Sequence, residues 1–111
     1  MPDALAALNA LSQETRLVAF RRLVQAGQAG LSVGELREGL DVPPATLSAH
    51  LNVLRAAGLV HDQREGRVIR VRADYARMDG LLDYLTENCC AGDASCAPEP
   101  TCKPRQKGTN R

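Results

Sequence analysis

The stretch from Ser32 to Gly58 leaves the chain few choices of fold. Ser32-Val33-Gly34-Glu35 has the Ser-x-x-Glu form of a capping box, in which hydroxyl and carboxylate satisfy two backbone donors at a helix start. A short helix to about residue 40 follows, turning Leu36 and Leu40 inward. Asp41-Val42-Pro43 then makes a tight turn, and Pro44 suits the first turn of a new helix, where a missing N–H costs nothing. That helix is expected over residues 44–57, ending at Gly58. Leu47, Leu51 and Leu54 recur at helical spacing on its inner face, and Thr46, Ser48, Ala49, Asn52 and Arg55 stay outside. A short helix, a tight turn and a second helix with a small, hydrogen-bonding outer face form a helix-turn-helix. The same pattern also serves plain packing, so its flanks decide how it is read.

Upstream, residues 3–10 read as a helix with apolar positions at Leu5 and Leu8, and Ser12 reads as the N-cap of a second helix over residues 13–26. Downstream, residues 59–64 and 67–72 read as strands joined by a Glu65-Gly66 turn. From Ile69 to Arg72 apolar and basic residues alternate, so one face packs while the other presents arginine. A last helix is expected over residues 78–90, with Leu81, Leu82, Tyr84 and Leu85 as a broad apolar surface. The expected fold is mainly α with a small β-hairpin wing, a winged helix-turn-helix over residues 1–90. Residues 91–111, poor in apolar side chains, are expected to form a loose tail.

A chain of 111 residues is expected to form one domain. It has no apolar run long enough to span a membrane and no secretory leader, so a cytoplasmic location without a membrane partner is expected. The net charge of +1 conceals an uneven distribution. Arg55, Arg64, Arg67, Arg70 and Arg72 face only Asp62 and Glu65 within residues 55–72, whereas residues 73–99 are acidic apart from Arg77. A basic strip beside a helix-turn-helix points to double-stranded DNA. Thr46, Ser48 and Asn52 can donate to and accept from base edges in the major groove. Arg64 and Arg67, at the hairpin tip, would reach phosphate or the minor groove. His50 could touch DNA or serve as a structural or helix-surface residue, and His61 reads as a solvated strand residue. An enzyme is not expected, because no phosphate loop, nucleophile–base pair or paired carboxylates appear.

The segments ALSQETRLVAFRRLV, PPATLSAHLNVLRAAGLV and REGR resemble the ArsR–SmtB winged-helix repressors over roughly residues 4–90. The resemblance implies a homodimer joined through its first and last helices, which holds operator DNA until an inducing metal or metalloid binds. By position it places Pro44, Thr46, Ser48, Ala49 and His50 on the recognition helix. Two departures matter. The Cys-Val-Cys site of many arsenic sensors is replaced by Leu31-Ser32-Val33-Gly34-Glu35-Leu36, and the last helix lacks the histidine ligands of the zinc sensors.

The cysteines instead gather at Cys89, Cys90, Cys96 and Cys102. Clustered thiols in a reducing compartment favour soft-metal or redox chemistry over a disulfide framework. TENCC with a third cysteine at Cys96 resembles a subgroup of arsenic-responsive repressors with a C-terminal site. Trivalent arsenic and antimony are soft and accept three thiolates in a pyramid. The expected inducer is therefore As(III) or Sb(III) on Cys89, Cys90 and Cys96, with Cys102 spare and no resident cofactor required. Methylated arsenic on two thiolates, a zinc-type metal and thiol oxidation are the alternatives. Adjacent residues on a regular helix point about 100° apart. Capture by Cys89 and Cys90 is thus expected to require the last turn to end or unwind at Cys89, with Gly92 letting Cys96 fold back.

Overall fold

The computed structural model describes residues 3–90. Their order is α1 (Ala4–Leu11), α2 (Glu14–Ala26), β1 (Leu31–Ser32), α3 (Val33–Arg37), α4 (Pro44–Ala56), β2 (Val60–Glu65), β3 (Val68–Ala73) and α5 (Tyr75–Thr86). The helix-turn-helix is α3 and α4, and the wing is β2 and β3. The expected tail over residues 91–111 lies outside the described residues.

Local chemistry sets the boundaries. Both capping-box bonds form: Glu35 N–H donates to Ser32 Oγ at 3.1 Å, and Ser32 N–H donates to Glu35 Oε1 at 2.9 Å. The α3 helix stops at Arg37 rather than near residue 40. Arg22 reaches across from α2 and takes the carbonyl oxygens of Leu36 and Glu38, and Gly39 turns the chain at φ +85. Ser12 does not cap α2. It closes α1, donating its hydroxyl to Asn9 O at 2.7 Å, while the Gln13 side chain caps α2 by accepting from Arg16 N–H at 2.9 Å. The hairpin loop is Gly66-Arg67, one residue later than expected, with Gly66 at φ +61. α5 begins earlier and ends earlier than the spacing suggested: Asp74 caps it by accepting from Arg77 N–H at 2.8 Å, and helical structure stops at Thr86.

The sheet order is β1-β3-β2, all antiparallel. β2 and β3 pair from Val60 opposite Ala73 to Glu65 opposite Val68. β1, not expected from the sequence, pairs Leu31 with Val71 and Ser32 with Arg70, which docks the wing onto the start of α3. Gly30 permits this approach, because a Cβ there would overlap the Val71 carbonyl oxygen.

The core gathers Leu23 from α2, Leu36 from α3, Leu47, Leu51 and Leu54 from α4, and Leu59 and Val71 around the wing, all fully buried. The three leucines of α4 occupy the inner face assigned to them. In α1, by contrast, Ala4, Ala7 and Ala10 pack inward while Leu5 is 80% exposed. Alanine lets α1 lie close on its neighbours; Leu5 and Leu8, expected as its apolar positions, are left outside, and only Leu11 at its end packs against the core. The described residues contain no helix long and apolar enough to cross a membrane.

Candidate nucleic-acid interface and thiol site

Buried Leu47, Leu51 and Leu54 fix the rotation of α4 and so decide what it presents. Pro44, Thr46, Ser48, Ala49 and Asn52 are exposed together on its outer side. His50 is only partly exposed, because Arg16 Nη1 donates to its Nδ1 at 3.3 Å. An arginine can only donate, so the ring proton sits on Nε2. Asn52 is committed in part as well: its Oδ1 accepts from Arg55 Nη1 at 2.8 Å, and Arg55 Nε pairs with Asp62 Oδ1 of β2 at 3.0 Å.

The wing arginines separate into two groups. Arg64 and Arg67 are exposed and form no hydrogen bond or ion pair with other described residues. Arg70 does not face outward as the alternation suggested. It folds back, donating to Ala29 O at 2.9 Å and Gly30 O at 3.0 Å, and pairs with Glu35 at 3.2 Å. Arg72 donates to Gln28 Oε1 at 2.7 Å, and its Nε is buried without a partner among the described residues. Strand alternation fixes which face a side chain leaves from, but not whether a long side chain then curls onto nearby carbonyls. The Ser32 backbone donor and the Arg70 charge hold Glu35 below its ordinary range despite some desolvation.

Two features escaped the sequence reading. Arg37, in the last turn of α3 beside the helix-turn-helix turn, is another exposed arginine with no partner among the described residues. Its signal was only a lone basic residue at a helix C-terminus, away from the basic strip. His61 is not simply solvated: it sits 2.7 Å from Asp74 and joins β2 to the cap of α5. Burial alone would raise the Asp74 carboxyl, but the Arg77 backbone donor, His61 and the Arg77 charge together hold it lower.

At the far end of α5 the expected conflict between helical geometry and a vicinal thiol pair does not arise. Cys89 and Cys90 lie beyond the helix, in a turn where Asn88 (φ 60) and Cys90 (φ 62) take the left-handed conformation. Cys89 N–H donates to Thr86 O at 2.8 Å, and the two sulfurs stand 3.6 Å apart. Metal–sulfur bonds of about 2.3 Å span sulfurs up to about 4.6 Å apart, so one soft atom could bridge two reduced thiols at this separation. Cys89 is a free thiol and Cys90 is disulfide-bonded. Cys96 and Cys102 lie outside the described residues. Among the described residues no three His, Cys, Asp or Glu side chains form a metal-holding group.

The architecture is that of a winged helix-turn-helix DNA-binding regulator. A family model described as a helix-turn-helix domain matches residues 11–63. The biofilm growth-associated repressor of Agrobacterium fabrum is 37% identical over 84 residues, 76% of this chain and 69% of that protein. An ArsR-like transcriptional regulator from Rhodococcus sp. RHA1 superposes with a TM-score of 0.71 at 32% identity, covering 84% of this chain and 85% of that one. A homodimeric winged helix-turn-helix domain from Mycobacterium bovis, described as a possible ArsR-family regulator, gives 0.60 at 26% identity over 78% of this chain and 81% of that one. The chain belongs to the ArsR/SmtB family of winged-helix transcriptional repressors. These relatives are DNA-binding regulators, not enzymes.

Proposed function

We propose that this protein is an arsenic-responsive repressor, binding operator DNA as a homodimer and leaving it when As(III) or Sb(III) binds Cys89, Cys90 and Cys96 of the reduced chain. The observation that carries the reading is the 3.6 Å separation of the Cys89 and Cys90 sulfurs on a non-helical turn. Once Cys90 is reduced, two of the three thiolates a pyramidal metalloid needs start within bridging distance of each other. The first and last helices supply the dimer surface: Leu5, Leu8, Leu82, Tyr84 and Leu85 are all exposed. Arg77 ties α5 to the start of α1 through Asp3 at 2.6 Å.

Recognition helices of such a dimer sit about 34 Å apart on successive major grooves. Closing a third thiolate onto the end of α5 would shift that spacing. A coupling of about 1–3 kcal/mol weakens operator binding about 5- to 150-fold. Thiol oxidation is a second reading, favoured by the state of Cys90, which is already disulfide-bonded while the Cys89 thiol 3.6 Å away stays free.

Fluorescence anisotropy on operator DNA tests both. With thiol reductant and arsenite, wild type and Cys102→Ser should dissociate while Cys89→Ser, Cys90→Ser and Cys96→Ser stay bound. Dissociation of all four variants rejects the three-thiolate site. Release by a disulfide-forming oxidant but not by arsenite favours the oxidation reading.

A further inference from the structure

We infer that Asp62 and Arg55 form a positioning pair that makes Asn52 a hydrogen-bond donor towards DNA, so that the wing sets what the recognition helix reads. Asp62 lies on β2, and its Oδ1 accepts from Arg55 Nε at 3.0 Å. The same guanidinium then donates through Nη1 to Asn52 Oδ1 at 2.8 Å. The chain of contacts therefore runs from wing strand to recognition helix through a planar group that can only donate. This settles which way the Asn52 amide faces, because only its oxygen can meet an arginine N–H. Asn52 itself is exposed on the outer side of α4 with Ser48 and Ala49. One of the two lone pairs on its oxygen is spent on Arg55 and the guanidinium crowds that side, so the group it offers unencumbered is the Nδ2 amide.

The chemical consequence is a preference in partners. A free asparagine pairs adenine with both ends, accepting from N6 and donating to N7. With Oδ1 held by Arg55, Asn52 matches an acceptor: guanine O6 or N7, thymine O4, or a phosphate oxygen. Arg55, sharing its charge with Asp62, acts as a brace rather than a free cation like Arg64 and Arg67.

The test selects duplexes from a randomised library with wild type, then measures their affinity for Asn52→Ala, Asp62→Asn and the double variant. Asn52→Ala is expected to weaken binding about fivefold or more, at one base step if the acceptor is a base edge and uniformly across the library if it is phosphate. Asp62→Asn should keep the wild-type melting temperature. Reselection with Asp62→Asn should admit adenine at the step Asn52 reads, or, for a phosphate acceptor, leave base preference unchanged. In either case the effect of Asp62→Asn on affinity should differ by about threefold or more between the wild-type and Asn52→Ala backgrounds. Loss of a negative charge acts equally in both backgrounds, so a purely electrostatic or structural Asp62 would give no such difference. Equal effects in the two backgrounds overturn the positioning pair, and an Asn52→Ala variant that binds as wild type does overturns the donor role.

Discussion

Replacing Arg67 and Arg70 separately by alanine should change DNA binding in different ways, although the residues lie three apart in one hairpin. Arg67 is exposed and free of partners among the described residues, so it is placed to meet a phosphate. Arg70 spends its guanidinium on Ala29 O, Gly30 O and Glu35. Each phosphate neutralised contributes about 0.9 to the slope of log K against log salt. Losing the Arg67 contact should therefore flatten the slope by about 0.9, which corresponds to a loss of about fivefold at 0.15 M salt and about fifteenfold at 0.05 M. Arg70→Ala should leave the slope at the wild-type value and lower the melting temperature instead, because it unties β3 from the start of α3. The assay is operator binding by anisotropy over a salt series, with thermal denaturation of each variant alongside. A slope flattened as much by Arg70→Ala as by Arg67→Ala would refute the division of the wing arginines into free and committed groups.

Gly30→Ala should destabilise the fold by about 2 kcal/mol or more, since it combines a left-handed backbone with overlap on the Val71 carbonyl; calorimetry should show a melting point about 8 °C lower or more. Asn88→Val, a β-branched residue forced into the left-handed region, should disfavour the turn carrying Cys89 and Cys90 by about 1–2 kcal/mol and lower arsenite affinity about 5- to 30-fold, while Asn88→Gly should bind as wild type does, both read by arsenite titration. The depressed Asp74 carboxyl stabilises the fold fully above its ordinary value of 3.8, and that contribution fades as pH falls through the lower folded value. The melting-temperature gap between wild type and Asp74→Asn, which keeps the helix cap, should thus close in acid below about pH 4.

The helix-turn-helix was legible because its signals are local and redundant. The Ser32–Glu35 capping box fixes the start of α3, and Pro44 and the leucine spacing both fix α4. The hairpin was legible from alternation and Gly66, to within one residue. β1 was not, because a two-residue strand has no periodicity of its own and exists through Gly30 and its partner β3. The end of α5 was misplaced for a related reason. Its apolar pattern continues towards Leu85, but the stop depends on Asn88 adopting a positive φ, which composition does not specify. Among candidate interface residues, type and exposure could be read from spacing for Thr46, Ser48 and Asn52. What could not be read was how long side chains spend their donors, as with Arg16 on His50, Arg55 on Asn52 and Arg70 on the loop carbonyls.

The most direct test of a thiol sensor on the end of α5 titrates arsenite into reduced, operator-bound protein. Operator release and the ultraviolet sulfur-to-arsenic charge-transfer band are followed in the same sample. Release and band should rise together and saturate at one ratio of arsenite to protein, and both should be lost in Cys89→Ser. Release without the band, or a full band on protein that stays on its operator, would contradict the proposal.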